Sequence, residues 1–229
     1  MPSANREIRT FDLFCGAGGS SLGALKAGAH IVGGVERWGP AARTYVDNFT
    51  KARLFRRDIR FLSAKAVRSA VGRIDLLLAS PECTNHTVAK GKGRRRLSSE
   101  TSRRTAYQVV RFAKVMRPRW IVIENVIQMK QWRKYSDWLS KLERLGYKIS
   151  EQVLNAADFG VRQSRRRLFV LCDRKGPPQS VRIVRRRRKA IGPILNLNGA
   201  YRYSLLKTRN RAEPTLARAE RGIAGVGRR

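Results

Sequence analysis

Cys83 follows Pro81 by two residues in SPECTNHTVAKG (80–91), just after the apolar run IDLLLAS (74–80), and His86 lies three residues on. Three chemistries are open to it. A buried cysteine is an inert small hydrophobe. A cysteine beside a histidine can form a nucleophile–base pair, but no Asn or Asp is assignable from sequence to orient His86. An exposed thiolate in a shaped loop is the third. The polar setting PECTNHT, the stiffening Pro81 and the cations of KGKGRRR (90–96) favour it, because nearby positive charge lowers a thiol's pKa.

Other residues could share that chemistry. Glu124 ends the mostly apolar RWIVIENV (119–126), where burial would raise its pKa and suit proton exchange with a ring nitrogen. QSRRR (163–167) sets Gln163, Arg165 and Arg167 on one face at a strand start, or is simply a basic strand end. DLFCGAGG (12–19) follows an apolar run and opens a helical one, so its glycines allow close backbone approach to a ligand, or make a plain tight turn. It lacks the Lys-Ser/Thr of a phosphate-binding loop, so a nucleoside or amino-acid cofactor fits better than ATP. Glu36, about twenty residues on, is suited to two ribose hydroxyls, Trp38 to an adenine face and Asp58 to the adenine amino group. Singly they read equally well as a helix cap, a core residue and a surface turn. Together they favour an adenosine pocket.

These residues need a scaffold that gathers them. Apolar runs at 8–14, 29–36, near 54–59, 74–80, 119–126 and 166–173 predict strands, and 147–156 is expected to be extended. Amphipathic stretches between them predict helices near 21–28, 39–49, 61–71 and 98–116, and one from 135 that Gly146 closes. Strand–helix alternation predicts an α/β fold, doubly wound, with a mostly parallel sheet covered on both faces. Ligands in such sheets bind beyond the carboxyl ends of the strands. Gly16–Gly19, Glu36, Asp58, Pro81–Thr87 and Glu124–Asn125 all fall there. After Asp173 the texture becomes Pro-rich and basic, so 1–173 reads as one domain, the one that would carry any catalysis by these residues, and 174–229 as a basic extension, with a short helix from about Pro214 and no second domain.

Charge and cysteine content bound the setting. Fifty Lys+Arg against sixteen Asp+Glu give a net charge of +34, which points to a nucleic-acid partner through counterion release, or to solvated surface charge alone. Cys15, Cys83 and Cys172 are few and far apart, which argues against a disulfide scaffold or a metal cluster and for a reducing cytoplasm. No apolar run is long enough for a membrane helix, and MPSANREIRTFDLF does not read as a secretory leader.

Taken in order, these motifs resemble the DNA (cytosine-5) methyltransferase family over roughly 8–173. DLFCGAGG is similar to the family's cofactor loop, GGVERWGPAARTYVDNF to the motif carrying the ribose-binding acid, and RDI to its third motif. SPECTNHT stands where the family carries its Pro-Cys loop, IENV matches its Glu-Asn-Val motif and DFGVRQSRRRLFV its Gln-x-Arg-x-Arg motif. One departure stands out: Glu82 separates Pro81 from Cys83, where the commonest family loop joins proline directly to cysteine.

The resemblance implies the S-adenosylmethionine-dependent methyltransferase fold, with S-adenosyl-L-methionine as cofactor and double-stranded DNA as partner. It implies that Cys83 attacks C6 of a flipped cytosine, Glu124 acts at N3, Asn125 shapes the loop around Glu124, and Arg165 contacts base or phosphate. Phe14, Gly16, Gly18, Gly19, Glu36, Trp38, Asp58, Ile59 and Pro81 would line the cofactor. Lys90, Lys92, Arg94, Gln163 and Arg167 would meet DNA, and no metal is implied. His86 then drops to a loop residue. No Gly-Asn motif closes the chain, so the resemblance implies C-terminal truncation, with a missing recognition domain, a monomer unless a complementing C-terminal fragment joins it, and a bacterial cytoplasmic, nucleoid-associated location. A non-catalytic DNA-binding remnant and an RNA cytosine-5 methyltransferase are the alternatives. Joint retention of Cys83, Glu124 and Arg165 favours catalytic descent, and the lack of a Cys-Phe-Thr segment places RNA third.

Overall fold

The computed structural model describes residues 7–82, 105–183, 187, 189–195, 213, 216, 217, 219 and 220. Seven strands form one sheet: β1 (Ile8–Leu13), β2 (Ala29–Val35), β3 (Arg53–Phe55), β4 (Leu76–Ala79), β5 (Trp120–Asn125), β6 (Lys148–Asn155) and β7 (Arg166–Asp173). Their spatial order is β3-β2-β1-β4-β5-β7-β6. The pairs β3/β2, β2/β1, β1/β4 and β4/β5 are parallel. β7 is antiparallel to both β5 and β6. The order reverses between β1 and β4, the switch point where such sheets open a crevice.

Among the described residues five helices link the strands: α1 (Gly19–Lys26), α2 (Gly39–Asn48), α3 (Ala64–Val71), α4 (Ala106–Met116) and α5 (Tyr135–Glu143). Their ends follow local chemistry. Pro40 sits in the first turn of α2, where its missing N–H costs nothing. Ser63 caps α3 by accepting from Ala66 N at 3.3 Å. After α5 the chain turns at Gly146 in the left-handed region (φ 90).

The central strands are apolar on both faces because helices cover both. The main core packs Phe11, Leu13, Leu77, Ile121, Ile123 and Val170 against Val67, Phe112, Trp138 and Leu142. Trp138 donates from Nε1 to the Ala106 carbonyl at 2.9 Å, tying α5 to α4. A smaller cluster of Cys15, Ile31, Tyr45 and Phe49 seals the other side near the glycine loop.

The predicted strands are all present, and 147–156 is the edge strand β6. The predicted helix at 98–116 is described from Ala106, and its earlier part lies outside the described residues. Past β7 the basic extension returns to the sheet edge, where Val181 N donates to Gln152 Oε1 of β6 at 2.8 Å. Of the expected C-terminal helix, Glu213, Leu216, Ala217, Ala219 and Glu220 are helical. Among the described residues no helix is long and apolar enough to cross a membrane.

Candidate active site at the carboxyl edge of the sheet

The glycine loop is built from unusual backbone. β1 stops at Leu13 because Phe14 takes φ 60, a left-handed turn rare outside glycine. Gly16 (φ 54) and Gly18 (φ 96) continue the turn, and Gly18 stands at the N-cap of α1. A Cβ on Gly18 would lie 2.3 Å from the Phe49 ring, so only glycine fits there. A Cβ on Gly16 or Gly19 would meet no protein atom within 4 Å, so both face open space.

Glu36, after β2, closes this loop from the far side. Its Oε2 accepts from Gly16 N at 3.0 Å and its Oε1 from Trp38 N at 2.7 Å. Each oxygen keeps a further lone pair, which is what a ribose diol requires. Trp38 is 64% exposed, so its ring is free to cover a ligand rather than fill the core. Open space at two glycines, a pinned carboxylate and an exposed indole fit an adenosyl amino acid.

Two buried groups lie beneath. Cys15 is in the core, and burial pushes its thiol up, so it is no rival nucleophile. Asp12 is fully buried: Ser21 Oγ donates to its Oδ2 at 2.7 Å, and its Oδ1 has no partner. Loss of solvation there raises its carboxyl to about 7.

Asp58 caps the 3-10 turn Ile59–Phe61 through Arg60 N at 2.9 Å. Its carboxylate is also gripped by the Arg60 side chain, with Nη2–Oδ2 at 2.6 Å. The Arg60 hydrogen bond, outweighing partial desolvation, holds it down at about 2. The group expected to meet the adenine amino group is therefore engaged by arginine here. Ile59 is buried in the core, and its carbonyl accepts from Arg111 Nη2 at 2.6 Å.

The loop after β4 starts from a fixed point. Ser80 N donates to the Leu13 carbonyl at 3.2 Å, setting the loop base beside the glycine turn. Buried Asn125 donates from Nδ2 to the Pro81 carbonyl at 3.1 Å, and its Oδ1 accepts from Val126 N at 2.8 Å. Asn125 was expected to shape the loop around Glu124; it also ties the end of β5 to the cysteine loop. Cys83, His86, Lys90, Lys92 and Arg94 lie outside the described residues.

Glu124 corrects an expectation. The apolar strand predicted a buried carboxyl, but its side chain is 26% exposed, because β5 ends here at the crevice. Arg167 Nε lies 3.0 Å from Glu124 Oε1 and Arg165 Nη2 lies 3.9 Å away. Arg167, assigned to DNA contact from sequence, is thus the nearer partner of Glu124. The reason is register: Phe169 of β7 pairs with Glu124, so Arg167, two residues before Phe169 and on the same face, is its diagonal neighbour, with Arg165 two residues further off. Gln163 is exposed in the preceding loop.

A cleft of about 200 Å³ opens beside this group, lined by Glu124, Leu154, Phe159, Arg165, Arg167 and Phe169 among others. Its aromatic walls went unrecognised from sequence, although Phe159 sits in the quoted DFGVRQSRRR. So did Asn155, whose Oδ1 accepts from Arg165 N at 2.9 Å and Ala157 N at 3.2 Å, holding both ends of the 156–165 loop.

A sheet with this order and one reversed strand, a glycine loop after β1 and a pinned acid after β2 define the class: an S-adenosylmethionine-dependent methyltransferase fold. The model of the C-5 cytosine-specific DNA methylase family matches residues 8–209, and the chain belongs to that family. That match runs beyond Asp173, where the motif resemblance stopped. The type II methyltransferase M.HgiDI of Herpetosiphon aurantiacus is 33% identical over 181 residues, 74% of this chain and 53% of that protein. The DNA (cytosine-5)-methyltransferase 1 of Mus musculus is 28% identical over 189 residues, 74% of this chain and 11% of that protein. The crystal structure of the S. pombe Dnmt2 methyltransferase superposes with a TM-score of 0.62 at 22% identity, covering 76% of this chain and 52% of that one, a likeness of fold alone. The chain thus spans about half the length of M.HgiDI.

Proposed function

We propose that this chain is the catalytic half of a DNA cytosine-5 methyltransferase. The observation that carries the reading is the Asn125–Pro81 hydrogen bond at 3.1 Å. It joins the residue after Glu124 to the peptide two residues before Cys83, so the end of β5 and the start of the cysteine loop are held together beside the glycine loop. Gly16, Gly18, Gly19, Glu36 and Trp38 would hold S-adenosyl-L-methionine, which supplies an electrophilic methyl group. Phe14, Pro81, Asp58 and Ile59 complete that side.

Cys83 adds as thiolate to C6 of a cytosine flipped out of the duplex. Glu124 hydrogen-bonds N3 and exchanges a proton there, so the ring accepts the pair of electrons and C5 becomes nucleophilic. Loss of the C5 proton after methylation restores the C5–C6 double bond and releases Cys83. Arg167 and Arg165 hold Glu124 at the cleft mouth, and Phe159 and Phe169 offer apolar walls to the flipped base. Gln163, Lys90, Lys92 and Arg94 serve phosphate contact, which positions the duplex without reading it. A complementing C-terminal fragment supplies base readout, and the setting is the bacterial cytoplasm.

The test incubates the chain with labelled S-adenosylmethionine and mixed-sequence DNA or tRNA, beside Cys83→Ala. DNA carrying 5-fluorocytosine should form a covalent adduct that Cys83→Ala abolishes. Label in tRNA and none in DNA would move the substrate to RNA. Cofactor binding without label or adduct would leave a non-catalytic remnant.

A further inference from the structure

Glu82, the residue inserted between Pro81 and Cys83, has a partner that the mechanism above does not use. Its Oε1 lies 2.7 Å from Arg37 Nη2, and Arg37 Nη1 lies 3.6 Å from Asp58 Oδ2. With Arg60 on the far side of Asp58, the charges alternate Glu82–Arg37–Asp58–Arg60. They come from the ends of β4, β2 and β3. In the sheet β1 lies between β4 and β2, so the Arg37–Glu82 pair spans the crevice above the glycine loop.

Both ends of this pair are anchored. Arg37 sits between Glu36 and Trp38, whose contacts to Gly16 and to each other form the cofactor side. Glu82 follows Pro81, whose carbonyl Asn125 holds. A lone surface ion pair contributes little, and Arg37 is 56% exposed. Here the pair is not lone: its arginine also faces Asp58, which Arg60 holds through several hydrogen bonds.

We propose that Arg37, acting through Glu82, is a positioning residue that couples occupancy of the cofactor site to the reactivity of Cys83. This rests on the methyltransferase reading above. A ligand seated on Glu36 and Trp38 restrains the Arg37 backbone between them, and Arg37 passes that restraint to the residue bonded to Cys83.

The test follows iodoacetamide modification of Cys83 in the full chain by peptide mass mapping, with and without saturating S-adenosylhomocysteine. Buried Cys15 and Cys172 are slow internal references. Binding of S-adenosylhomocysteine is titrated calorimetrically on the same samples. In the wild type the ligand should change the Cys83 rate about fivefold, the lower end of common site–site coupling. Glu82→Gln should lose most of that change while keeping ligand affinity and melting temperature. Arg37→Gln should lose it too, the double variant should lose no more, and Arg37→Lys should recover part of it. Wild-type coupling in Glu82→Gln, or a wild type that binds the ligand with no change at Cys83, overturns the proposal. A wild type that binds no ligand overturns the methyltransferase reading and this inference with it.

Discussion

The two halves of the sheet edge are held by different means. Around β1–β3 the site is fixed by backbone: positive-φ turns at Phe14, Gly16 and Gly18, and main-chain amides on both oxygens of Glu36. Around β5–β7 it is fixed by side chains, with two arginines on Glu124 and Asn155 bracing the loop between them. A backbone-built half is preformed and intolerant of added atoms. A half built on long arginines adjusts to a substrate and is more open to screening by salt.

The contrast predicts its own largest effect at Gly18. Gly18→Ala puts a Cβ into the Phe49 ring at φ 96 and should destabilise the fold by about 2–4 kcal/mol, read by urea unfolding. Gly19→Ala, with open space before it, should leave unfolding unchanged and weaken only cofactor binding. Equal stability of the two variants would remove the claim of a rigid half.

Glu36→Gln comes next. It keeps one acceptor oxygen but loses the charge that two amides share and that the proposed ribose contact would use, so cofactor affinity should fall about tenfold, corresponding to roughly 1.5 kcal/mol for a hydrogen bond to a charged group. Titration of S-adenosylhomocysteine reads it directly.

The buried Asp12 gives a pH signature. Its carboxyl titrates near 7 in the fold against 3.8 in the unfolded chain, so between these values the folded state holds the extra proton. Its contribution to stability therefore falls as pH rises from about 3.8 to about 7 and is level above. Asp12→Asn should flatten this stretch of the stability–pH curve; an unchanged slope would assign it to other groups.

The smallest effect is expected at Arg167. Arg167→Gln should cost about 1 kcal/mol or less in stability, as partly exposed ion pairs do. Raising salt should narrow the gap to wild type. Adduct formation on 5-fluorocytosine DNA should nevertheless slow, since Glu124 loses its nearest partner.

Much of the β1–β3 half was legible in the residues alone. Glycine at 16, 18 and 19 and an acid at 36 mark a turn and a strand end whose spacing is local. The β5–β7 half was less so. The sequence pattern marks 147–156 and 166–173 as extended, but not that β7 runs backwards between β5 and β6. That reversal is what sets Arg167 Nε 3.0 Å and Arg165 Nη2 3.9 Å from Glu124, a pairing the spacing alone does not give. Asn125, matched by its motif, proved to reach 44 residues back to Pro81.

By itself the sequence determined the elements, their alternation and the order of the motifs, because apolar periodicity and glycine punctuation act over a few residues. Which charges meet was decided by the tertiary structure alone. Arg37 reaches Glu82 across β1, and Arg167 rather than Arg165 closes on Glu124, because strand order and register set the distances between residues far apart in the chain.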